Sequence, residues 1–133
     1  MSDLTTSKYL KIFVDSGESP EAFAKSLEKL SGLTLETTDD GDNLYKYSDH
    51  EHRWFTVGYH PFENDGDLHF EEYLYCIEIG IFDVYDWQER QQMLIEFARN
   101  LFDKLKASQK YHLLLVDNLQ IKLDEFIPIH QMS

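Results

Sequence analysis

The chain has 133 residues, with 25 acidic residues against 12 basic ones, a formal net charge of −13, one cysteine and 14% aromatic residues. That size implies one domain, residues 1–133, long enough to bury a core without staples. The charge argues against nucleic-acid binding, which needs Lys and Arg against phosphate, and against docking on an anionic membrane; the lone Cys76 excludes an internal disulfide framework and a Cys-based zinc site.

In chain order, KYLKIFVDS (residues 8–16) alternates, with Leu10, Ile12 and Val14 on one side and Tyr9, Lys11 and Phe13 on the other, so a strand is expected. SGESPEAFAKSLEKLSG follows. Ser19 suits an N-cap, Pro20 the first helical position and Gly32 the stop, while Phe23, Leu27 and Leu30 form one apolar stripe. LTLET then reads as a strand, DDGDN as a turn, NLYKYS as a strand, DHEH as a turn and RWFTVGYH as a strand. HPFENDGDLHFEE reads as a polar connection. EYLYCIEIGIFDVYD is the strongest strand, with Ile77, Ile79 and Ile81 on one face.

DWQERQQMLIEFARNLFDKLKAS is the second helix. Asp86 and Glu89 make a capping-box-like start, and Met93, Leu94, Phe97, Ala98, Leu101, Phe102 and Leu105 make a broad apolar face. YHLLLV and LQIKL form a hairpin around a two-residue Asp117-Asn118 turn, and EFIPIHQMS is expected to be a loose tail. The order β-α-β-β-β-β-α-β-β predicts an α+β fold: an antiparallel sheet, solvated on one side, with both helices on the other. If Ile77, Ile79 and Ile81 face the helices with Phe55, Val57 and Tyr59, then Trp54, Thr56, Gly58, His60, Cys76, Glu78 and Gly80 share the open face.

Several arrangements invite chemistry. His50 and His52, two apart, point to one side of an extended chain, and His60, His69 or Glu71 could complete a metal site. The plainer reading, a solvated hairpin tip, is preferred because H-x-H lacks the helical H-E-x-x-H spacing. ENDGDLHFEE places Gly66 and Glu72 at positions 6 and 12 of a calcium loop, but Pro61 stands at position 1 where an acid is needed. Cys76 near His60 and Glu78 has the residue types of a nucleophilic triad, yet no nucleophile elbow surrounds it and packing explains it. The six glycines are scattered, so no phosphate loop is present. No catalytic residue, metal or cofactor is therefore expected.

Charge placement says more. Between Glu36 and Asp86 lie 14 acids and two bases, Lys46 and Arg53, a net of −12; the other 82 residues carry 11 acids and 10 bases, a net of −1. Such segregation costs self-repulsion and so invites a reason. Aromatic residues interleave the acids, which suggests ring anchors among steering charges. The expected partner-binding residues are Asp39, Asp40, Asp42, Asp49, Glu51, Trp54, Glu63, Asp65, Asp67, Glu71 and Glu72. Trp54 is the expected anchor, and Asp49 and Glu51 the steering charges at the hairpin tip.

The chain also resembles the immunity proteins of bacterial polymorphic and contact-dependent toxin systems, in size, acidity, element order and the run YLYCIEIGIFDVYDW before a long helix. Those proteins span unrelated folds, so the resemblance carries no residue over by position. It implies a cytoplasmic, non-enzymatic inhibitor whose protein partner is a basic, nuclease-type toxin domain. A cytoplasmic place also fits the opening MSDLTTSKYLKIFVDSGE, which lacks a signal peptide's apolar run, and the absence of 18 consecutive apolar residues. Two other readings come from different classes. One is a nucleic-acid mimic, with carboxylates in rows spaced about 7 Å like phosphates. The other is a small metal-dependent hydrolase using the histidines between 50 and 60.

Overall fold

The computed structural model describes residues 8–41, 43–60, 62–64, 70–117 and 121–128. Its elements run β1 (Tyr9–Asp15), α1 (Pro20–Ser31), β2 (Glu36–Asp40), β3 (Asn43–Ser48), β4 (Arg53–Gly58), a 3-10 turn (Phe70–Glu72), β5 (Tyr75–Ile81), α2 (Trp87–Ala107), β6 (His112–Asp117) and β7 (Ile121–Phe126). The seven strands form one antiparallel sheet in the order β2-β3-β4-β5-β1-β6-β7. The α+β class and element order expected from the sequence are observed. No helix among the described residues is long and apolar enough to cross a membrane.

The helix ends follow local chemistry. The Ser19 hydroxyl accepts from the Ala22 N–H, Pro20 opens α1, and Gly32 closes it at φ +76° with its N–H on the Glu28 carbonyl. The Asp86 carboxylate caps α2 by accepting from the Glu89 N–H at 2.9 Å. Leu10, Ile12, Val14, Phe55, Val57, Ile77, Ile79 and Ile81 then meet Phe23 and Leu27 of α1 and Leu94, Phe97, Ala98, Leu101, Phe102 and Leu105 of α2 in one core. Each such side chain contributes about 1.5–3 kcal/mol on burial. Both helices therefore lie on one side of the sheet.

Four details differ from expectation. The strand expected at LTLET starts later, at Glu36, because the backbone before it is tied to α1: the Leu33 N–H donates to Ser31 Oγ and the Leu35 N–H to the Glu28 carboxylate. Asp39 and Asp40 are consequently strand residues, and Gly41 takes the left-handed turn position at φ +65°. Asp117 is not a turn residue; it lies in β6, opposite Ile121 of β7. Tyr59, expected in the core, is 42% exposed, since β4 ends at Gly58 and the ring only stacks on Tyr75 at the rim. Phe126, expected in a loose tail, closes β7 and packs on the core; residues 129–133 of that tail lie outside the described residues.

The face away from the helices is only partly open. Phe13, Cys76, Leu114 and Val116 point to it and are covered by Phe70 and Tyr73, with Phe62 packed alongside, in a second, smaller core. The connection after β4 thus returns over the sheet instead of passing through solvent. Further along the same face, the Trp54 ring lies on Gly80, where a β-carbon would stand 2.4 Å from the indole. Glycine at 80 is what lets the ring lie flat. Gly80→Val should cost about 1–3 kcal/mol through overpacking and shift tryptophan emission, whereas Gly17→Ala, with nothing within 4 Å of its added carbon, should be nearly neutral. Equal urea midpoints for Gly80→Val and the parent chain would refute this packing.

Candidate partner-binding surfaces

Strand register decides where the predicted acids stand. Asp40 pairs with Asn43, Asn43 with Gly58, Gly58 with Cys76 and Cys76 with Phe13, which defines one end of the sheet. Ser48 pairs with Trp54, Trp54 with Gly80 and Gly80 with Tyr9, which defines the other. Five residues along β1 separate Tyr9 from Val14, roughly 17 Å of strand. The expected single acidic surface is therefore divided. Asp39, Asp40, Glu63, Glu71 and Glu72 belong to the first end, and Asp49, Glu51 and Trp54 to the second. Asp42, Asp65 and Asp67 lie outside the described residues, and of Asp40 only the backbone is described.

At the first end the 60–73 connection is held by His60. Its Nε2 meets the Tyr73 carbonyl at 2.6 Å, and its Nδ1 accepts from the Phe62 N–H at 3.2 Å, which assigns the ring proton to Nε2. The ring also stands edge-on to Phe13 at 4.9 Å and stacks on Phe62 at 5.6 Å. Asn64 and Glu71 close the connection reciprocally: the Asn64 N–H donates to the Glu71 carboxylate, and the Glu71 N–H donates to Asn64 Oδ1. Tyr73 reaches the far strands, its hydroxyl 3.1 Å from His112 Nε2, which lies 3.0 Å from the Glu125 carboxylate. The hydrogen bond from His112 holds the Glu125 carboxyl below the usual range.

Beside this clasp lies an open groove of about 510 Å³. Its carboxylates are Asp15, Glu63, Glu71 and Glu72, its rings Tyr59, His60, Phe62 and Tyr73, and among the described residues no Lys or Arg lines it. Tyr59 and Leu74, 42% and 46% exposed, form its apolar lips. Asp39 and Glu63 are exposed. Rings and carboxylates in one concavity suit a cationic side chain, by stacking and by ion pairing together.

A second, smaller cavity of about 210 Å³ sits on the sheet face between the two ends. Lys11 and Glu78, directly opposite in register, pair there at 2.7 Å. Glu78 is therefore a paired carboxylate on the outer face, not an isolated acid. Sequence reading passed over Lys11; its alternation already put it on the face of Glu78, but only the β1–β5 register makes them partners. Cys76 borders this cavity, and burial pushes its thiol up to about 12. The native thiol should consequently resist iodoacetamide at pH 8 and react fully in urea. Rapid native alkylation would show that the Phe62–Tyr73 cover is open.

At the second end, Asp49 organises the hairpin. One carboxylate oxygen accepts from the N–H groups of Glu51 and Arg53, and the other from the Tyr47 hydroxyl at 2.6 Å and Arg53 Nε at 2.9 Å. Burial alone would raise its pKa, but these hydrogen bonds outweigh burial and lower it. Its carboxylate is thus engaged in the turn, leaving Glu51 as the exposed acid of the tip. Trp54 is half-buried against Gly80 and meets the Tyr9 ring edge-on at 5.5 Å. His50 and His52 are at this tip, with the His52 ring against Phe82, while His60 is at the opposite end. Among the described residues no three of His, Cys, Asp and Glu converge as a metal would require.

The Asp49 geometry sets a pH dependence. A carboxyl with a lowered folded-state pKa adds stability above its unfolded value, and that stability is lost as pH falls through the folded value. Asp49→Asn should lower stability by about 1–2 kcal/mol at pH 7, with the gap to the parent chain closing at acid pH below 3.8. A gap unchanged from pH 7 to pH 2.5 in urea titrations would contradict the assignment.

Compared with known proteins, the chain matches no family model, and no curated sequence matches it.

Proposed function

We propose that this chain is a non-enzymatic binding protein, an immunity protein in kind, which neutralises a basic, nuclease-type toxin domain in the cytoplasm. The observation that carries the reading is the groove at the first end of the sheet: four carboxylates, exposed tyrosine and leucine lips, and, among the described residues, His60 but no Lys or Arg in its lining. The exposed Asp39 of β2, toward the same end, extends the negative surface. A basic domain approaching this end gains steering from the net charge and short-range pairing inside the groove. Among the described residues the acids divide between two ends of the sheet, which favours a protein partner over nucleic-acid mimicry. The dispersal of His50, His52 and His60 likewise gives the hydrolase reading no support.

The test is protection in cells. The probe is a basic, nuclease-type toxin domain sought in the gene neighbouring this chain's own, expressed under tight control, with any growth arrest challenged by co-expression. Wild-type chain should restore growth, and the double variant Asp39→Lys, Glu63→Lys should lose at least tenfold of the protection while keeping its melting curve. Full protection by that variant would remove the acidic groove from the interface. Absence of protection by the wild type would remove the immunity reading.

A further inference from the structure

The second end of the sheet carries apolar surface that neither core uses. Tyr85 is 91% exposed and Trp87 49%, and Tyr9 and Phe82 are exposed with them. The loop between β5 and α2 is built to hold these rings out. The Phe82 N–H donates to the His52 carbonyl at 2.8 Å, and the two rings meet edge-on at 5.4 Å. Asp83 adopts φ +56°, a conformation that a non-glycine residue keeps only where its surroundings impose it. Val84 packs on the helix-side core, leaving Tyr85 outside. Arg90 of α2 donates to the Lys8 carbonyl at 3.2 Å, bringing the start of the helix beside the start of β1, where Tyr9 meets Trp54.

Exposed rings gathered at one end of a sheet mark docking surfaces. Their rim selects the occupant. Glu51, Asp83, Asp86 and Glu89 are exposed there, the Asp86 carboxylate also capping α2; Arg53 is ion-paired with Asp49, and among the described residues Lys8 and Arg90, which donates to the Lys8 carbonyl, are the other cations at this end, so the acids outnumber them. A second copy would set this acidic rim against itself, and an anionic membrane would meet the same repulsion. A guanidinium or ammonium satisfies both features, lying over a ring while pairing with a carboxylate.

We propose that this aromatic platform binds an Arg- or Lys-bearing segment of a protein partner, seated on Tyr85, Trp87 and Tyr9 within the carboxylate rim. The proposal rests on the reading that the partner is basic, and adds a contact at the opposite end of the sheet from the groove. Both tryptophans of the chain, Trp54 and Trp87, stand at this end, so tryptophan emission reports on it selectively. The full chain is titrated at low salt with a synthetic peptide of alternating Arg and Gly. A saturable emission change should appear, weaken at least fivefold in Tyr85→Ala and on adding 0.5 M salt, and persist in Asp39→Lys, Glu63→Lys. Tyr85 is almost fully exposed, so its replacement leaves the fold intact, as circular dichroism would check. No saturable change in the wild type, or an equal response in Tyr85→Ala, would overturn the proposal. So would Tyr85-dependent binding to phosphatidylserine vesicles or Tyr85-dependent dimerisation, since each names a different occupant. Failure here with protection still dependent on Asp39 and Glu63 leaves the proposed function standing; the converse leaves the platform and removes the groove.

Discussion

The sheet depends on β1 being covered on both sides. Leu10, Ile12 and Val14 face the helices, and Phe13 faces the other way, fully buried. A phenylalanine in mid-strand cannot be left in water on an otherwise open face without forfeiting about 2–3 kcal/mol. The 60–73 connection supplies the missing cover, through Phe70, Tyr73 and Phe62. Once it lies there, its polar residues are carried to the same end of the sheet, and the groove follows. Glu63, Glu71 and Glu72 reach the groove because the residues flanking them cover Phe13, while Asp15 comes from β1 itself.

The charges divide into those that build and those that face outward. Glu18 builds: Tyr111 and Ser26 donate to its carboxylate, Lys110 lies 3.5 Å away, and the Tyr75 hydroxyl donates to its carbonyl. Burial acts against its ionised form, yet these donors together keep its carboxyl below the usual range. The α1 start, β5 and the strand entry at Tyr111 are thereby joined. Asp49 and Arg53 build in the same sense at the hairpin tip, with the guanidinium also over the Phe97 ring at 4.7 Å. Asp39, Glu51, Glu63, Asp83 and Glu89 differ in being exposed. Sequence composition weighs both kinds alike, which is why Asp49 and Glu51 looked equivalent before the turn was seen.

Periodicity made most of the frame legible. The inward faces of β1 and β5, the stripes and caps of both helices, and the sharing of one face by Trp54, Thr56, Cys76 and Glu78 all follow from spacing two or spacing 3.6. What periodicity lacks is register and long-range return. Nothing in HPFENDGDLHFEE signals that Phe62 and Phe70 will bury Phe13, because two phenylalanines among acids have no period. The division of the acids between two ends likewise depends on strands reversing at Gly41 and at 49–52, which places residues ten apart at opposite ends and residues more than twenty apart together. Tyr85 and Trp87 are hard to place from sequence for a related reason: strand-like alternation runs on through the strand-to-helix junction, although Asp83 in the left-handed region breaks it.

The two surfaces differ in what a partner must do to use them. The groove is concave and lined by four carboxylates, so its strength should fall as ions screen those charges, over a Debye length of about 8 Å at physiological salt. The platform's carboxylate rim is screened in the same way, but its exposed rings keep their dispersion and hydrophobic contributions when salt is raised. A ligand that engages one end alone gains little from the other. A folded basic domain broad enough to span roughly 17 Å of strand engages both, and the second contact then forms at high effective concentration. On the proposed reading, discrimination would arise from that span: small cations and short basic peptides would meet either surface weakly, whereas a domain with correctly separated basic patches would meet both at once.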